Sequence, residues 1–268
     1  MLPASTLPRL ELLGGFRLIA ADGREIPVSG KKNRALLAIL ALAPGCSASR
    51  EAIAGLLWSD RGEQQARNSL RQNLLTLRND LAPIDPTPLV FQEDLVKLDP
   101  MRISIDVLDF FNWRAHGDLA TAASLFKGPL FAGLSLSDNA FEEWLREQRD
   151  TINGKAIAVL EQLAGQEGGE ARIASAKRLV ALDPLREASH RLLMAAYAEA
   201  GEKGLALKQY EICRDLLKQE LGIAPAQQTE DEYKAILNDR KAAAAQPRAP
   251  RRATLSRPAV AVLPFANL

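Results

Sequence analysis

The spacing of apolar residues changes along the chain from a strand pattern to a helical pattern and back to a strand pattern. This order limits the fold more than any other feature of the sequence. Leu10-Glu11-Leu12 and Phe16-Arg17-Leu18 alternate apolar with polar residues, and Asp22-Gly23 marks a hairpin turn. The first 30 residues therefore predict a small antiparallel sheet. Three segments of helical period follow, and a second strand-turn-strand pattern comes after them.

Local signals place the ends of these three helices. The first is expected to begin at Lys31 and to end before Pro44-Gly45, and Ser49 is a favourable N-cap for the second. The third is predicted over Gln64–Ala82, where Pro83 closes it. Residues 89–98, with a polar tip at 92–94, give the hairpin. Three helices followed by a hairpin predict a winged helix-turn-helix.

From residue 106 onward almost the whole sequence has helical periodicity, interrupted at short Gly- or Pro-containing breaks. Residues 153–186 align with 187–220 in helical register, and Tyr197, Gly201, Ala206 and Tyr210 follow tetratricopeptide spacing. An unspecialised helical bundle is the alternative. The predicted fold class is mainly α, with a small α+β winged helix at the N-terminal end and a tetratricopeptide-like domain after it.

The charge is segregated along the chain, although the net charge is only +1. Residues 1–104 carry 13 basic and 11 acidic residues, whereas residues 105–239 carry 15 and 22, a net charge of −7. Residues 240–258 carry six basic residues and no acid, which together with Pro and Ala is typical of a solvated linker. Residues 259–268 begin a new apolar strand. We interpret them as the start of a truncated further domain, with a short frayed tail as the alternative.

The third helix is predicted to have one apolar and one polar side. At 100° per residue, Leu70, Leu74, Leu77 and Leu81 gather on one side with Ala66 and Asn73. The opposite side and its flanks are free of acidic residues, because none occurs between Gln64 and Asn79. They carry Arg67, Asn68, Arg71, Gln72, Leu75, Thr76, Arg78 and Asn79.

Such a polar face suits the major groove of DNA. Arg can donate two hydrogen bonds to guanine, Asn and Gln can each pair with adenine, and Leu or Thr can touch a thymine methyl. We expect phosphate contacts from Lys31, Lys32 and Arg34 at the start of the first helix, and from Arg67 and Arg78. An ordinary solvated face is the alternative for the polar helix taken alone, but the two preceding helices and the hairpin favour DNA.

Two successive segments of the chain resemble the two domains of a known protein family. Residues 9–104 resemble the OmpR-type DNA-binding domain of the SARP class of transcriptional activators, and residues 105–225 resemble the bacterial transcriptional activator domain that follows it. The first resemblance rests on Lys31-Lys32-Asn33-Arg34-Ala35-Leu36, Leu56-Leu57-Trp58 and Ala66-Arg67-Asn68-Ser69-Leu70-Arg71. The second rests on Trp144-Leu145-Arg146-Glu147-Gln148-Arg149, Leu182-Asp183-Pro184-Leu185-Arg186-Glu187 and Glu220-Leu221-Gly222-Ile223-Ala224-Pro225.

The resemblance implies a sequence-specific regulator that binds double-stranded DNA, often at tandem repeats. It also implies helices that join subunits into a homo-oligomer on DNA, receive a signal or contact RNA polymerase or another regulatory protein. One departure concerns the acidic tip Gln92-Glu93-Asp94, which lacks the Gly-Tyr of many relatives. We therefore do not expect strong insertion of this tip into the minor groove.

Other functional classes find little support in the sequence. His116 and His190 are the only histidines and lack metal-ligand spacing, and no glycine-rich phosphate loop is present. We expect no catalysis, no metal and no cofactor. No apolar run is long enough to span a bilayer, and Met1-Leu2-Pro3-Ala4-Ser5 lacks the basic patch and long apolar stretch of a secretory signal, so we expect a cytoplasmic protein. The rival hypothesis is a tetratricopeptide-like interaction scaffold without specific DNA binding.

Overall fold

The N-terminal sheet in the computed structural model, which describes residues 7–245, contains both antiparallel and parallel pairs. Strand β1 (Arg9–Glu11) pairs antiparallel with β2 (Arg17–Ile19), as the alternation predicts. On its other edge β1 pairs in parallel with β6 (Ser104–Ile105), a strand that the sequence pattern does not predict. The strand order is therefore β2-β1-β6.

Three helices follow the sheet close to their predicted bounds. They are α1 (Lys31–Leu42), α2 (Arg50–Leu57) and α3 (Glu63–Asp80). Gly30 begins α1 with a φ of 78°, a left-handed conformation that favours glycine. The predicted cap of α2 is confirmed, because the Ser49 hydroxyl accepts a hydrogen bond from the Ala52 amide at 3.1 Å.

The wing is a three-stranded sheet rather than a simple hairpin. It consists of β4 (Leu89–Gln92), β5 (Leu95–Leu98) and β3 (Ser47–Ser49), in the order β3-β5-β4. Strand β3 precedes α2 directly and pairs antiparallel with β5, with Ala48 opposite Val96. This third strand ties the wing to the start of α2.

The rest of the described chain is helical, as predicted. The sequence pattern does not predict the break at Gly117, which separates two of these helices. The helices are α4 (Asp106–Ala115), α5 (Leu119–Leu125), α6 (Asn139–Gln166), α7 (Gly169–Leu182), α8 (Glu187–Glu199), α9 (Lys203–Glu220) and α10 (Gln227–Ala245). Together with the winged helix they confirm the predicted mainly α class. Within residues 7–245, no helix combines the length and apolarity needed to cross a membrane.

The internal repeat is visible in the burial of equivalent side chains. Leu160 and Met194 are both buried, and so are the aligned pair Leu179 and Cys213. Consecutive helices from α6 to α9 pack against each other, as stacked helical hairpins do. This pattern favours the repeat over an unspecialised bundle.

Helix α10 covers the end of the stack and extends into the segment predicted as a linker. The rings of Tyr210 and Tyr233 stack with their centroids 4.1 Å apart, and Ile236 joins the same apolar cluster. Residues 240–245 are helical rather than linker. The remaining linker, 246–258, and the predicted strand at 259–268 lie outside the described residues.

The two halves of the protein share one hydrophobic core. Phe16 of the first half meets Phe131 of the second edge to face, with ring centroids 5.7 Å apart. The buried Asp106 carboxylate accepts hydrogen bonds from the Leu12 and Leu13 amides, each at 2.8 Å. Because β6 spans residues 104–105, the boundary predicted between these residues falls inside a strand of the N-terminal sheet.

The chain also makes a close backbone contact between the halves at Gly14. The Gly14 amide donates to the Pro129 carbonyl at 3.1 Å, and its φ is 99°. A Cβ added there would lie 2.9 Å from the Cβ of Lys127. Glycine is therefore required by both the backbone angle and the space.

Candidate nucleic-acid interface

The inward side of α3 is the one that the periodicity predicts. Leu70, Leu74 and Leu77 are each at most 4% exposed, and Leu81, which caps the helix, is fully buried. Asn73 is only half-buried, because it sits at the edge of the apolar side, where its amide donates to the Ser69 carbonyl at 3.0 Å. These leucines fix the rotation of α3 about its axis.

The rotation leaves the predicted polar face in solvent. Leu75, an apolar residue in the middle of this face, is 57% exposed. The exposed set also includes Arg67, Asn68, Arg71, Gln72, Thr76, Arg78 and Asn79. No part of the helical half covers this face in the part of the chain that the structure describes.

The arginines of α3 differ in their partners. The Arg67 guanidinium pairs with Glu63 one turn earlier at 2.5 Å. Within residues 7–245, the guanidiniums of Arg71 and Arg78 have no hydrogen-bond or ion-pair partner. The carboxylate of Asp80, at the end of α3, accepts hydrogen bonds from the amide and the hydroxyl of Ser29. The cationic groups most available for an anionic ligand are therefore those of Arg71 and Arg78.

An open groove of about 730 Å³ lies between α3, the start of α2 and the wing. Its apolar floor includes Leu75 and Phe91, and Phe91 is 38% exposed. Arg67, Arg71 and Arg78 line the groove together with a fourth arginine, Arg50.

Arg50 is a groove residue that sequence reasoning missed. It is the first residue of α2, and its guanidinium lies 5.7 Å from the centre of the Phe91 ring. The available signal was its place directly after the Ser49 cap, at the N-terminus of a helix where amide groups and an arginine can both face an anion.

The wing tip is acidic and is held against α2. Glu93 has a φ of 47°, which allows the tight turn, and the Asp94 carbonyl accepts from the Arg50 amide at 2.8 Å. Both acidic residues are exposed. The tip therefore carries negative charge beside the arginine-lined groove.

The three basic residues of α1 lie elsewhere. Lys31 is exposed, with its ammonium 3.4 Å from the Ser135 carbonyl, and it lines a second groove that α3 shares only through Asn73. Arg34 donates to the Val28 carbonyl at 3.1 Å. The structure does not bring these residues to the groove beside Arg71.

Lys32 is partly buried. Its ammonium donates to the Leu57 carbonyl and lies 4.6 Å from the centre of the Trp58 ring. Burial lowers the pKa of Lys32, and the carboxylates of Asp138 and Asp60 partly oppose that effect. The side chain fixes the end of α2 rather than an external anion.

The two histidines lie at the surface and in the core of the helical half. His116 is exposed and its Nδ1 lies 2.7 Å from the Asn112 carbonyl. His190 is fully buried between the Pro184 carbonyl and the side chain of Gln209. Among the described residues, no group of His, Cys, Asp and Glu is arranged to hold a metal ion.

Comparison with known proteins relates the chain to bacterial regulators. Residues 112–237 match the bacterial transcriptional activator domain. The chain is 26% identical over 238 residues to the transcriptional regulatory protein MoaR1 of Mycobacterium tuberculosis, covering 80% of this chain and 75% of MoaR1. It is 26% identical to the regulatory protein AfsR of Streptomyces coelicolor over 81% of this chain and 23% of AfsR. It is 34% identical to the transcriptional regulator RedD of the same organism, over 42% of this chain and 32% of RedD.

The fold is also similar to a solved structure. Mycobacterium tuberculosis EmbR, solved in complex with a low affinity phosphopeptide, superposes with a TM-score of 0.61 at 23% identity. The match covers 87% of this chain but 65% of the EmbR chain, so the chain spans about two thirds of that neighbour.

Proposed function

Because the chain belongs to the SARP class of transcriptional regulators, we propose that it binds DNA sequence-specifically and that α3 enters the major groove. The observation that carries the proposal is the outward face of α3, which exposes amide and guanidinium groups above a buried row of leucines. The major groove of B-DNA is about 12 Å wide and admits an α-helix. This face carries no acid from Gln64 to Asn79, so α3 itself adds no repulsion toward the phosphates.

The middle of α3 supplies the residues that we propose to read bases. Arg71 can donate two hydrogen bonds to a guanine, and Asn68 and Gln72 can each pair with an adenine. Leu75 and Thr76 can contact thymine methyl groups. The exposure of Leu75 supports this assignment, because an apolar side chain at the centre of a polar face would gain from burial against a base.

Phosphate contacts are proposed for the arginines around that centre. Arg67 and Arg78 flank the base-reading residues, and Arg50 adds a cation from the start of α2. Lys31 is exposed and is available to a phosphate beyond the groove. Lys32 and Arg34 would have to leave their carbonyl partners to reach phosphate.

The helical half is proposed to connect DNA binding to other molecules. By resemblance to its class, it would support homo-oligomerisation on tandem DNA repeats, receive a signal or contact RNA polymerase. Residues 105–239 carry a net charge of −7, which would keep this half from competing with α3 for the phosphates. A regulator of this kind acts in the cytoplasm, where its DNA lies.

The primary experiment is selection of genomic DNA fragments by the purified whole chain, followed by affinity measurement at several salt concentrations. The whole chain is used because β6 and Asp106 complete the first half. The proposal expects one enriched sequence and a logarithmic affinity that falls with log salt by about 0.9 per phosphate contacted.

Two variants then separate base reading from phosphate contact. Arg71→Ala should cost roughly 1 to 3 kcal/mol on the selected site and relax the preference at one base position. Arg78→Ala should weaken selected and random DNA alike and reduce the salt slope by about 1. An equal loss on both DNAs for Arg71→Ala would remove that residue from the base-reading set.

The interaction scaffold predicts a different outcome of the same experiment. A scaffold should enrich no sequence and should show no steep salt dependence. That result would leave the acidic helical half as the functional surface and would end the DNA proposal.

A further inference from the structure

Asp138 is the N-cap of α6, but its carboxylate accepts hydrogen bonds from the other half of the protein. An aspartate at an N-cap ordinarily accepts hydrogen bonds from the amides of its own helix. Here it makes no such cap bond. Its Oδ2 instead accepts from the Ser59 amide at 3.1 Å, and its Oδ1 accepts from the Ser59 hydroxyl at 2.8 Å. Asp138 is only 3% exposed, so its carboxylate is largely shielded from water, whereas Ser59 on the other side of the contact is exposed.

Ser59 lies in the loop that sets the start of α3. This loop runs from Trp58, the C-cap of α2, to Gly62, the N-cap of α3. Inside it, the Arg61 amide donates to the Trp58 carbonyl at 3.1 Å. The Arg61 guanidinium donates to the Ser69 hydroxyl on α3 at 3.1 Å. A continuous chain of contacts therefore leads from Asp138 through the loop to the second turn of α3.

Asp138 is itself held firmly within the helical half. Glu142, one turn further along α6, accepts hydrogen bonds from the Leu136 amide at 2.6 Å and from the Ser135 hydroxyl at 3.0 Å. These bonds order the segment that leads into Asp138. Helix α2 also packs against α6, which brings Ser59 to this point. The helical half thus presents a fixed acceptor to the loop.

We infer that Asp138 is a positioning residue for DNA recognition: its carboxylate holds Ser59 and thereby sets the orientation in which α3 meets base edges. This inference rests on the proposed function of α3. It also gives the helical half a direct route to DNA selectivity, because any event that moves the start of α6 moves the loop before the reading helix. Direct base contacts tolerate little displacement, since each hydrogen bond weakens steeply outside its normal geometry.

The test compares Asp138→Ala with Asp138→Asn in the whole chain. Asp138→Ala removes both acceptors. In Asp138→Asn the amide oxygen can accept from the Ser59 amide and the amide nitrogen can donate to the Ser59 hydroxyl, so the contact survives without the charge. Asp150→Ala is the matched control, because it removes an exposed carboxylate from the same helix.

The readouts are affinity for the selected DNA site, affinity for random DNA, and amide hydrogen exchange of residues 58–62. For Asp138→Ala we expect about tenfold weaker binding to the selected site, the size of a lost hydrogen bond to a charged group, with random DNA unchanged. Exchange in the loop should also accelerate. Asp138→Asn, which keeps both contacts with Ser59, and Asp150→Ala, which changes only an exposed residue, should both stay within about twofold of the unmodified chain.

Ser59→Ala provides a second variant that keeps the fold, because Ser59 is exposed. It should weaken selected-site binding in the same direction, and combining it with Asp138→Ala should add little further loss. An unmodified chain without sequence preference would overturn the proposed function and this inference with it. A selective unmodified chain whose Asp138→Ala variant keeps its selectivity, or loses affinity equally on both DNAs, would overturn this inference alone.

Discussion

Asp106 offers the sharpest test of how the two halves are joined. It is 4% exposed, and one of its oxygens accepts both the Leu12 and the Leu13 amides, whereas the other has no partner in the described part of the chain. Burial raises the pKa of Asp106 to about 6, although the two amide hydrogen bonds act in the opposite direction. The nearby Glu11 carboxylate raises it further.

The raised pKa of Asp106 makes the stability of the protein depend on pH. The folded protein holds the Asp106 proton more tightly than the unfolded chain does, so the stabilisation is complete below the unfolded pKa and is lost as pH rises to about 6. A shift of one pKa unit is worth about 1.4 kcal/mol, so the rise from 3.8 to about 6 amounts to about 3 kcal/mol in all, of which about 2 kcal/mol is lost between pH 4 and 7.

The experiment is urea unfolding of the unmodified chain and of Asp106→Asn at several pH values between 4 and 7.5. The amide oxygen of the variant can accept both backbone amides, but its NH2 group is left without a partner at a cost of roughly 1 to 3 kcal/mol at every pH. Asp106→Asn should therefore be the less stable protein near pH 4 and should recover relative to the unmodified chain as pH rises.

Asp150→Asn, which changes an exposed carboxylate, should show no such recovery as pH rises. A stability difference between the unmodified chain and Asp106→Asn that stays constant from pH 4 to 7.5 would refute the reasoning.

Three further predictions concern stability. Leu70→Asp should unfold the first half, because a buried unpaired carboxylate is costly, and a normal thermal melt would show that the rotation of α3 is wrong. Gly14→Ala should lower the melting temperature more than Gly23→Ala. Both glycines have a positive φ, which costs an alanine about 1–3 kcal/mol, but only at Gly14 would the added Cβ also clash with Lys127. Equal melting temperatures of the two variants would contradict the close approach at Gly14. Thr229 is fully buried, and its hydroxyl donates a hydrogen bond to Glu187 at 2.5 Å. Thr229→Val should therefore lower the free energy of urea unfolding by about 1–3 kcal/mol, whereas Thr229→Ser should leave it close to that of the unmodified chain. Equal losses in the two variants would show that the methyl group matters rather than the hydroxyl.

The sequence predicts those features that depend on local pattern. The two faces of α3 follow from helical periodicity alone, and Leu70 and Leu75 lie where that period places them. The cap at Ser49 depends on neighbouring amides and is equally readable. Features that depend on partners far away in the sequence cannot be predicted in this way. Strand β3 contains no large apolar residue and β6 has only two residues, so neither shows a strand pattern, and they form because β5 and β1 offer them hydrogen bonds.

The candidate site likewise contains residues whose placement follows from local pattern and residues whose placement depends on distant partners. Arg67, Arg71 and Arg78 are exposed because of their position on α3, which the sequence contains. Lys32 looks like them in the sequence, but its ammonium is drawn to the Leu57 carbonyl and the Trp58 ring, a contact made by a different helix. Arg50 enters the groove only because the wing returns to the start of α2.

The parallel pairing of β1 with β6 has a consequence for synthesis on the ribosome. Leu12 is translated 94 residues before its acceptor Asp106, so the first strand must wait for its partner while the intervening helices emerge. At about 5–20 residues per second, that interval is on the order of 5–20 s. During it, the edge of β1 that later pairs with β6 stays open, and an open strand edge is a template for pairing with another chain.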